Sequence, residues 1–285
     1  MSKKFQRSYR IVIDFKDGSD PIIIKPPLTC QFWVKRNTMA SANYCSIDIY
    51  NLGKNLRDRI FQDRFVVRDT VVTFEAGYDT LSLMFKGELF HAFSSRDGTN
   101  IITRMELKSG NYDMTTTKTF QTISGGQGLK EVLGYLAGQF PNLERGVIGS
   151  FPEVFKRPVT LNGNTYDLMR KYSNNKVHVD NNKIYVLKDN EAIEGDVPAI
   201  NIDSGLIDVR RDAGFLNVTT LLEPRITIDQ VVDLKSPINP IYNGQYKCLG
   251  ILHQGIISEA VGGACRSVFD LLTGNTIFEV KQPNE

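Results

Sequence analysis

The hydrophobic period of this chain changes twice, and that change constrains the fold more than any single motif does. From about Tyr9 to Leu107 apolar residues recur at every second position in short runs, "YRIVIDF", "PIIIK", "CSIDIYNL", "VVTFEAGY", "LSLMFKGELFHAF" and "IITRMEL", separated by Gly, Asp, Asn and Pro. Such runs predict half-buried strands, because successive side chains point to opposite faces. One short helix is expected in "GKNLRDRIFQD", where Leu56, Ile60 and Phe61 fall at helical spacing. Around Thr115 the period becomes helical. In "SGGQGLKEVLGYLAGQFP" Leu129, Val132, Leu133, Leu136, Ala137 and Phe140 share one stripe, with Ser124 near the start and Pro141 as the stop. "TYDLMRKYS" predicts a second helix with Leu168, Met169 and Tyr172 on one face behind a cap at Thr165, and "VHVDNNKIYVL" a hairpin turning at Asp180–Asn182. After "KDNEAIEGDVPA" the strand pattern returns in "GFLNVTTLLEPRITIDQVVDLKS", "GQYKCLGILHQG" and "CRSVFDLL". The expected fold is mainly β with an α/β insert: β-barrel domains over residues 1–114 and 197–285, flanking a small α/β domain over 115–196.

A chain of 285 residues has room for two or three such units, each with a core. With 41% hydrophobic and 23% charged residues and a net charge of +2, it lacks the strongly basic face of a nucleic-acid binder. The start, "MSKKFQRSYRIVIDF", has too short an apolar run for a signal peptide or a membrane span, so synthesis and retention in the cytoplasm are expected. Cys30, Cys45, Cys248 and Cys265 lie far apart with no C-x-x-C spacing, which predicts free buried thiols and no metal.

Candidate chemistry falls away motif by motif. "SGGQG", Ser124 to Gly128, opens a helix but lacks the Lys-Ser/Thr of a P-loop, so it reads as a plain helix start. His91, His178 and His253 are scattered, with no partner at metal-ligand spacing, and the strand patterns around His91 and His253 suggest core-edge or interface positions. Asp203, Asp208 and Asp212 alternate with arginines in "DVRRD", which suits a solvated face better than a glycosidase pair. Trp33 is expected in the core. Neither G-x-S-x-G nor H-E-x-x-H occurs. The sequence therefore assigns no catalytic, cofactor-binding or metal-binding residue, and an enzyme is not expected.

The two strand-rich regions resemble each other. Each has a strand, a Lys-Gly-Glu or Asn-Gly-Gln turn, a strand ending near His91 or His253, and then "ITRMEL" or "CRSVFDL". In the hairpin of Thr73 to Phe93, Leu81, Leu83 and Phe85 share one face and Ser82, Met84 and Lys86 the other. Gly77 reads as a turn residue and Gly87 as a bulge or a close backbone approach.

The order of "IDIYNL" at Ile47–Leu52, "VTFEAGY" at Val72–Tyr78 and "MFKGEL" at Met84–Leu89 is similar to the opening barrel of the baseplate hub proteins of contractile-tailed bacteriophages. "LNVTTLLEPRITIDQVVDLKS" with "NGQYKCLGILHQG" resembles their closing barrel, although Glu223 stands where the family more often has Asn or a related polar residue. The resemblance implies two tube-protein-like β-barrels and a homotrimer. It also implies a ring that adapts the sixfold tail tube to the threefold central spike and lines the DNA channel. The implied partners are the tail-tube, central spike, tape-measure and baseplate wedge proteins, with DNA only in transit and no membrane insertion. The implied location is the tail baseplate of the virion, after assembly in the host cytoplasm. On that reading the ribbon edge near Gly77 and Gly87 meets a neighbouring subunit, and the insert is peripheral to the channel. The competing readings are a tail-associated cell-wall hydrolase, with paired acids near Asp167, Asp180 or Glu144, and a carbohydrate-binding module using Tyr44, Tyr50, Tyr78 and Tyr112.

Overall fold

The computed structural model describes residues 6–39, 42–65, 69–212, 214–260, 262–274 and 278–282; the basic start, Met1 to Phe5, lies outside them. The first region comprises β1 (Ser8–Asp14), β2 (Ile22–Ile24), β3 (Cys30–Asn37), β4 (Tyr44–Tyr50), α1 (Lys54–Ile60), β5 (Val71–Gly77), β6 (Leu81–Asp97) and β7 (Asn100–Lys108). The middle region comprises α2 (Asn111–Thr116), β8 (Lys118–Ile123), α3 (Leu129–Ala137), β9 (Glu144–Ile148), β10 (Val159–Asn164), α4 (Thr165–Tyr172), β11 (Val177–Asp180) and β12 (Lys183–Val186). The last comprises β13 (Glu191–Ile193), β14 (Ala199–Ile200), β15 (Leu206–Asp212), β16 (Phe215–Leu221), β17 (Val231–Leu234), β18 (Gly244–Ile257), β19 (Cys265–Leu272) and β20 (Glu279–Lys281). The molecule is mainly β with an α/β insert, as the periods predict.

The two β regions join in one sheet of 13 strands, because β3 of the first pairs antiparallel with β18 of the last. The internal resemblance becomes a repeated topology. The first region runs β3-β4-β7-β6-β5 and the last β15-β16-β19-β18-β17. Each long strand carries a bulge at the matching place, Phe90 in β6 and Leu249 in β18. Just before it, the Leu89 N–H donates to Thr70 O and the Cys248 N–H to Gln230 O, both at 2.9 Å. Lateral rows agree too: His91–Glu106–Ser46–Trp33 in the first region matches Gly250–Asp270–Asn217–Arg210 in the last. This register sets Ser94, not His91, against His253, and Lys86 against Gln245. Lys86-Gly87-Glu88 lies inside a strand and is not a turn.

Three clusters of buried side chains accompany the three regions. The first runs from Tyr9 to Leu107 and takes in Leu222, Ile257 and Cys265; the second from Met114 to Val186; the third from Ile200 to Leu271. Every residue of the α3 stripe is buried, and Asn181 and Asn182 turn the β11–β12 hairpin at φ of 49° and 58°. Three local expectations change. The cap of α4 is Asn164, whose side chain accepts the Asp167 N–H at 3.0 Å, while Thr165 is buried against Thr119. In the short α1 only Ile60 is buried, and Leu56 and Phe61 face solvent. In β6 a bulge at Met84 resets the alternation, so Met84 and Phe85 are both buried and Leu81 and Leu83 are exposed.

Gly77 and Gly87 are both required by close approaches. A Cβ on Gly77 would sit 2.1 Å from Thr80 O, inside the turn that follows β5. A Cβ on Gly87 would sit 2.6 Å from Lys108 O and 2.7 Å from the Phe85 ring. Gly87 is buried and pairs with Val72, so the approach it permits is within the chain and not at a subunit edge.

Candidate functional site

Alternation in the large sheet sends apolar side chains into the cores and leaves the other face polar. One row across seven strands runs Leu221–Arg266–Gln254–Trp33–Ser46–Glu106–His91. The adjacent row runs Ile256–Gln31–Asp48–Arg104–Phe93. Between them lies a shallow groove of about 610 Å³ that crosses the β18–β3 junction of the two repeats. Among its charged residues Arg104 grips Asp48 with two hydrogen bonds of 2.7 and 2.6 Å and Arg266 lies nearby, while farther along the same face Arg64 bonds Glu106 at 3.2 Å beside His91. Trp33 lies on this face, 36% exposed and edge-on to Tyr44 at 5.7 Å, and not in the core. Its parity in β3, opposite Phe32 and Val34, decides this. A face with both signs of charge interleaved has little net pull on a polyanion.

A second cluster has the residue types of an active site but is sealed. His178 Nε2 lies 2.9 Å from Asp229 Oδ2, and neither atom has a hydrogen bond elsewhere among the described residues. Lys247 Nζ bonds the other Asp229 oxygen at 2.8 Å and Lys188 O at 3.0 Å. Burial alone would raise the Asp229 pKa, but His178 and Lys247 outweigh it and hold the carboxyl below its ordinary value. Alongside, fully buried Arg36 makes a bidentate pair with Asp180 at 2.8 and 2.5 Å, and Asn43 bonds the same carboxylate at 3.0 Å. These pairs tie β11 of the insert to β3 on one side and to the segment before β17 on the other. With no opening to solvent the cluster acts as a fastening. The sequence missed it because its partners lie far apart in the chain.

The remaining candidates scatter. Glu131 accepts the Gly128 N–H at 3.3 Å and so places a carboxylate over the start of α3, where a bound phosphate would need N–H groups. His253 is fully buried, with Nδ1 2.7 Å from Ser267 Oγ; burial, helped by the nearby Arg36, lowers its pKa to about 3. Asp203, Asp208 and Asp212 face solvent, and all four cysteines are free and buried. The acids proposed for a hydrolase do not converge: Asp167 lies in the first turn of α4, where its backbone N–H donates to Asn164 Oδ1, Asp180 binds Arg36, and Glu144 pairs with Lys86 and Lys183. A cleft of about 480 Å³ does carry two other acids, Glu88 and Asp69. Burial raises the Glu88 pKa to about 7, and its carboxylate accepts the Tyr112 N–H at 2.9 Å. No described histidine, serine or cysteine lines that cleft. Among the described residues no helix is long and apolar enough to cross a membrane, and no group of three or more His, Cys, Asp or Glu side chains could hold a metal ion.

Comparison with known proteins decides the family. The profile of the family described as baseplate hub gp41 matches residues 9–254. The chain belongs to that family. Its fold is shared with the 43 kDa tail protein of prophage MuSo2 from Shewanella oneidensis, at 9% identity and a TM-score of 0.61, over 92% of this chain and 97% of that one. A tail protein from Neisseria meningitidis MC58 matches at 8% identity and a TM-score of 0.63, over 96% and 99%. The E. coli c3393 protein is a type VI secretion component described as structurally similar to the phage T4 tail proteins gp27 and gp5. It matches at 7% identity and a TM-score of 0.57, over 90% and 76%. No curated protein matches. The chain is thus a hub-family member with the fold of phage tail structural proteins.

Proposed function

We propose that this hub-family chain is a structural subunit of a contractile-tail baseplate. It forms a homotrimeric ring that joins the sixfold tail tube to the threefold central spike, and its polar sheet face lines the DNA channel. The observation that carries this reading is the strand order repeated twice in one continuous sheet. Two tube-like units per chain in a threefold ring present six similar units to a sixfold tube. The units correspond to residues 1–114 and 197–285, and the insert, 115–196, stands outside the channel wall.

The implied neighbours are the tail-tube, spike, tape-measure and baseplate wedge proteins. DNA passes in transit only. The assembled location is the virion baseplate, reached from the host cytoplasm without membrane insertion. The balance of Arg104 with Asp48 on the sheet face supports passage without retention. Light scattering of the chain with its tube and spike proteins tests this: the expected mass includes three copies, and monomers in every mixture would refute it.

One observation favours a second reading. Glu88, near neutral-pH titration in a cleft with Asp69, has the chemistry of a general acid in a wall hydrolase. Cell-wall degradation by the purified chain, lost in Glu88→Gln, would support it; the hub reading predicts none.

A further inference from the structure

We propose that the groove between α1 and the β6–β7 hairpin is a binding site for a phosphate group, held by the guanidiniums of Arg57 and Arg96. The site goes beyond the hub reading and does not depend on it.

The local fold builds the groove from both sides. β6 and β7 turn at Gly98 and Thr99, with Gly98 at a φ of 58°, so the strands stay paired to their ends, Asp97 opposite Asn100. Asn51, in the turn before α1, ties the helix start to this hairpin. Its N–H donates to Ile101 O at 2.7 Å, its Oδ1 accepts the Ile101 N–H at 3.0 Å, and its Nδ2 donates to Asn100 Oδ1 at 3.0 Å. The walls are therefore set before any ligand arrives. Between them lies a groove of about 370 Å³ lined by Arg57, Ser94, Ser95, Arg96, Thr99 and Ile101.

The chemistry of the groove is one-sided. Two lining residues are cations, three carry hydroxyls and none is acidic. The other cations of α1 are paired: Lys54 bonds Asp58 at 3.0 Å, and Arg59 lies 4.0 Å from Asp17 and over the Phe15 ring. Arg57 differs, because its Nε is buried and has no acceptor among the described residues. A buried N–H without a partner is costly, and two like charges in one groove repel, so both features call for an anion from outside the chain. Arg96 is aimed by the bond from its Nε to Gly98 O at 3.1 Å, which leaves its terminal amino groups without a partner among the described residues. Ser94 Oγ, 3.0 Å from Thr103 Oγ1, accepts from that hydroxyl when its own hydrogen turns to a ligand.

Phosphate suits this donor set better than a carboxylate does. Its tetrahedral oxygens can meet two guanidinium forks and several hydroxyls arriving from different directions, whereas one fork already fills the two coplanar oxygens of a carboxylate. No aromatic ring lines the groove to stack a base, so recognition stops at the phosphate itself.

Isothermal calorimetry of the full chain with inorganic phosphate, in buffer free of sulfate, tests the assignment. One saturable site per chain is expected. Arg57→Met and Arg96→Met should each weaken binding at least about tenfold, while Arg59→Met, equal in charge but outside the groove, changes it less than about twofold. Because Arg57 Nε has no partner to lose, Arg57→Met is expected to keep the wild-type unfolding temperature without phosphate and to lose the rise that phosphate gives the wild type. Arg96 is exposed, so its variant reads binding even where Arg57→Met folds poorly. A short DNA duplex added as competitor identifies the source: displacement assigns the site to a backbone phosphate, no displacement to a free one, and either upholds a phosphate site. Absence of saturable binding, an equal effect of all three variants, or displacement by the same concentration of acetate overturns it.

Discussion

At the scale of single residues, Gly87 and His253 turn local geometry into measurable energies. Gly87→Val forces a β-branched side chain against Lys108 O and the Phe85 ring, where backbone and not a mobile side-chain end must yield. The expected cost is about 1–3 kcal/mol, seen as a lower midpoint in thermal or urea unfolding of the monomer. Unchanged stability with failed assembly would instead return Gly87 to a subunit interface. His253 is buried as the neutral imidazole and its pKa is lowered to about 3, while the unfolded chain protonates near the ordinary value of 6.5. The unfolded state therefore binds more protons between those values, and stability present above pH 6.5 is lost as pH falls toward 3. His253→Gln keeps a partner for Ser267 and cannot charge, so its stability should fall less steeply across that window. A slope equal to the wild type would assign the acid sensitivity to other groups. The sequence placed His253 in a strand correctly, but its burial depends on β3 lying beside it, a pairing across most of the chain length that local pattern does not encode.

At the scale of elements, the insert is fastened by ions more than by shape alone. Asp180→Asn leaves the guanidinium of Arg36 charged and fully buried, and Asp229→Asn does the same to Lys247; each is expected to cost about 3–5 kcal/mol in equilibrium unfolding. The double replacement Arg36→Met with Asp180→Met removes both charges and should recover most of the loss. Equal destabilisation in single and double variants would mean that packing, and not the unpaired charge, sets the cost. The elements themselves were largely legible. The α3 stripe, the Asn181–Asn182 turn and the strand-rich flanks follow from local periods and turn chemistry, which act over a few residues. Phase within β6 was not legible, because the bulges at Met84 and Phe90 are set by neighbouring strands and invert the alternation. Trp33 was misplaced for a related reason: a period-2 pattern separates two faces but does not say which one is covered. The Glu88 cleft and the His178–Asp229–Lys247 cluster gave no sequence signal, since each assembles from separate regions.

At the scale of the whole molecule, duplication and the polar sheet face combine in one account. In the proposed ring, the repeated strand order would supply two similar units, and the polar sheet face on which Arg104 pairs with Asp48 would line the path of DNA. Charge on the sheet face should therefore govern passage. Gln31→Lys with Gln254→Lys adds positive charge beside Arg104 and Arg266 and is expected to slow DNA ejection from assembled particles, with the delay shrinking as salt rises. Lysines placed on exposed insert positions such as Gln121 should leave ejection unchanged, and an equal delay from both would place the channel elsewhere. The central claim, a ring built from two units per chain, is tested most directly by electron microscopy of the chain assembled with its tube and spike proteins. The account predicts a closed threefold ring with a central hole, six similar lobes around it and the inserts at the periphery. Monomeric particles, or a trimer whose centre is filled by residues 115–196, would contradict it.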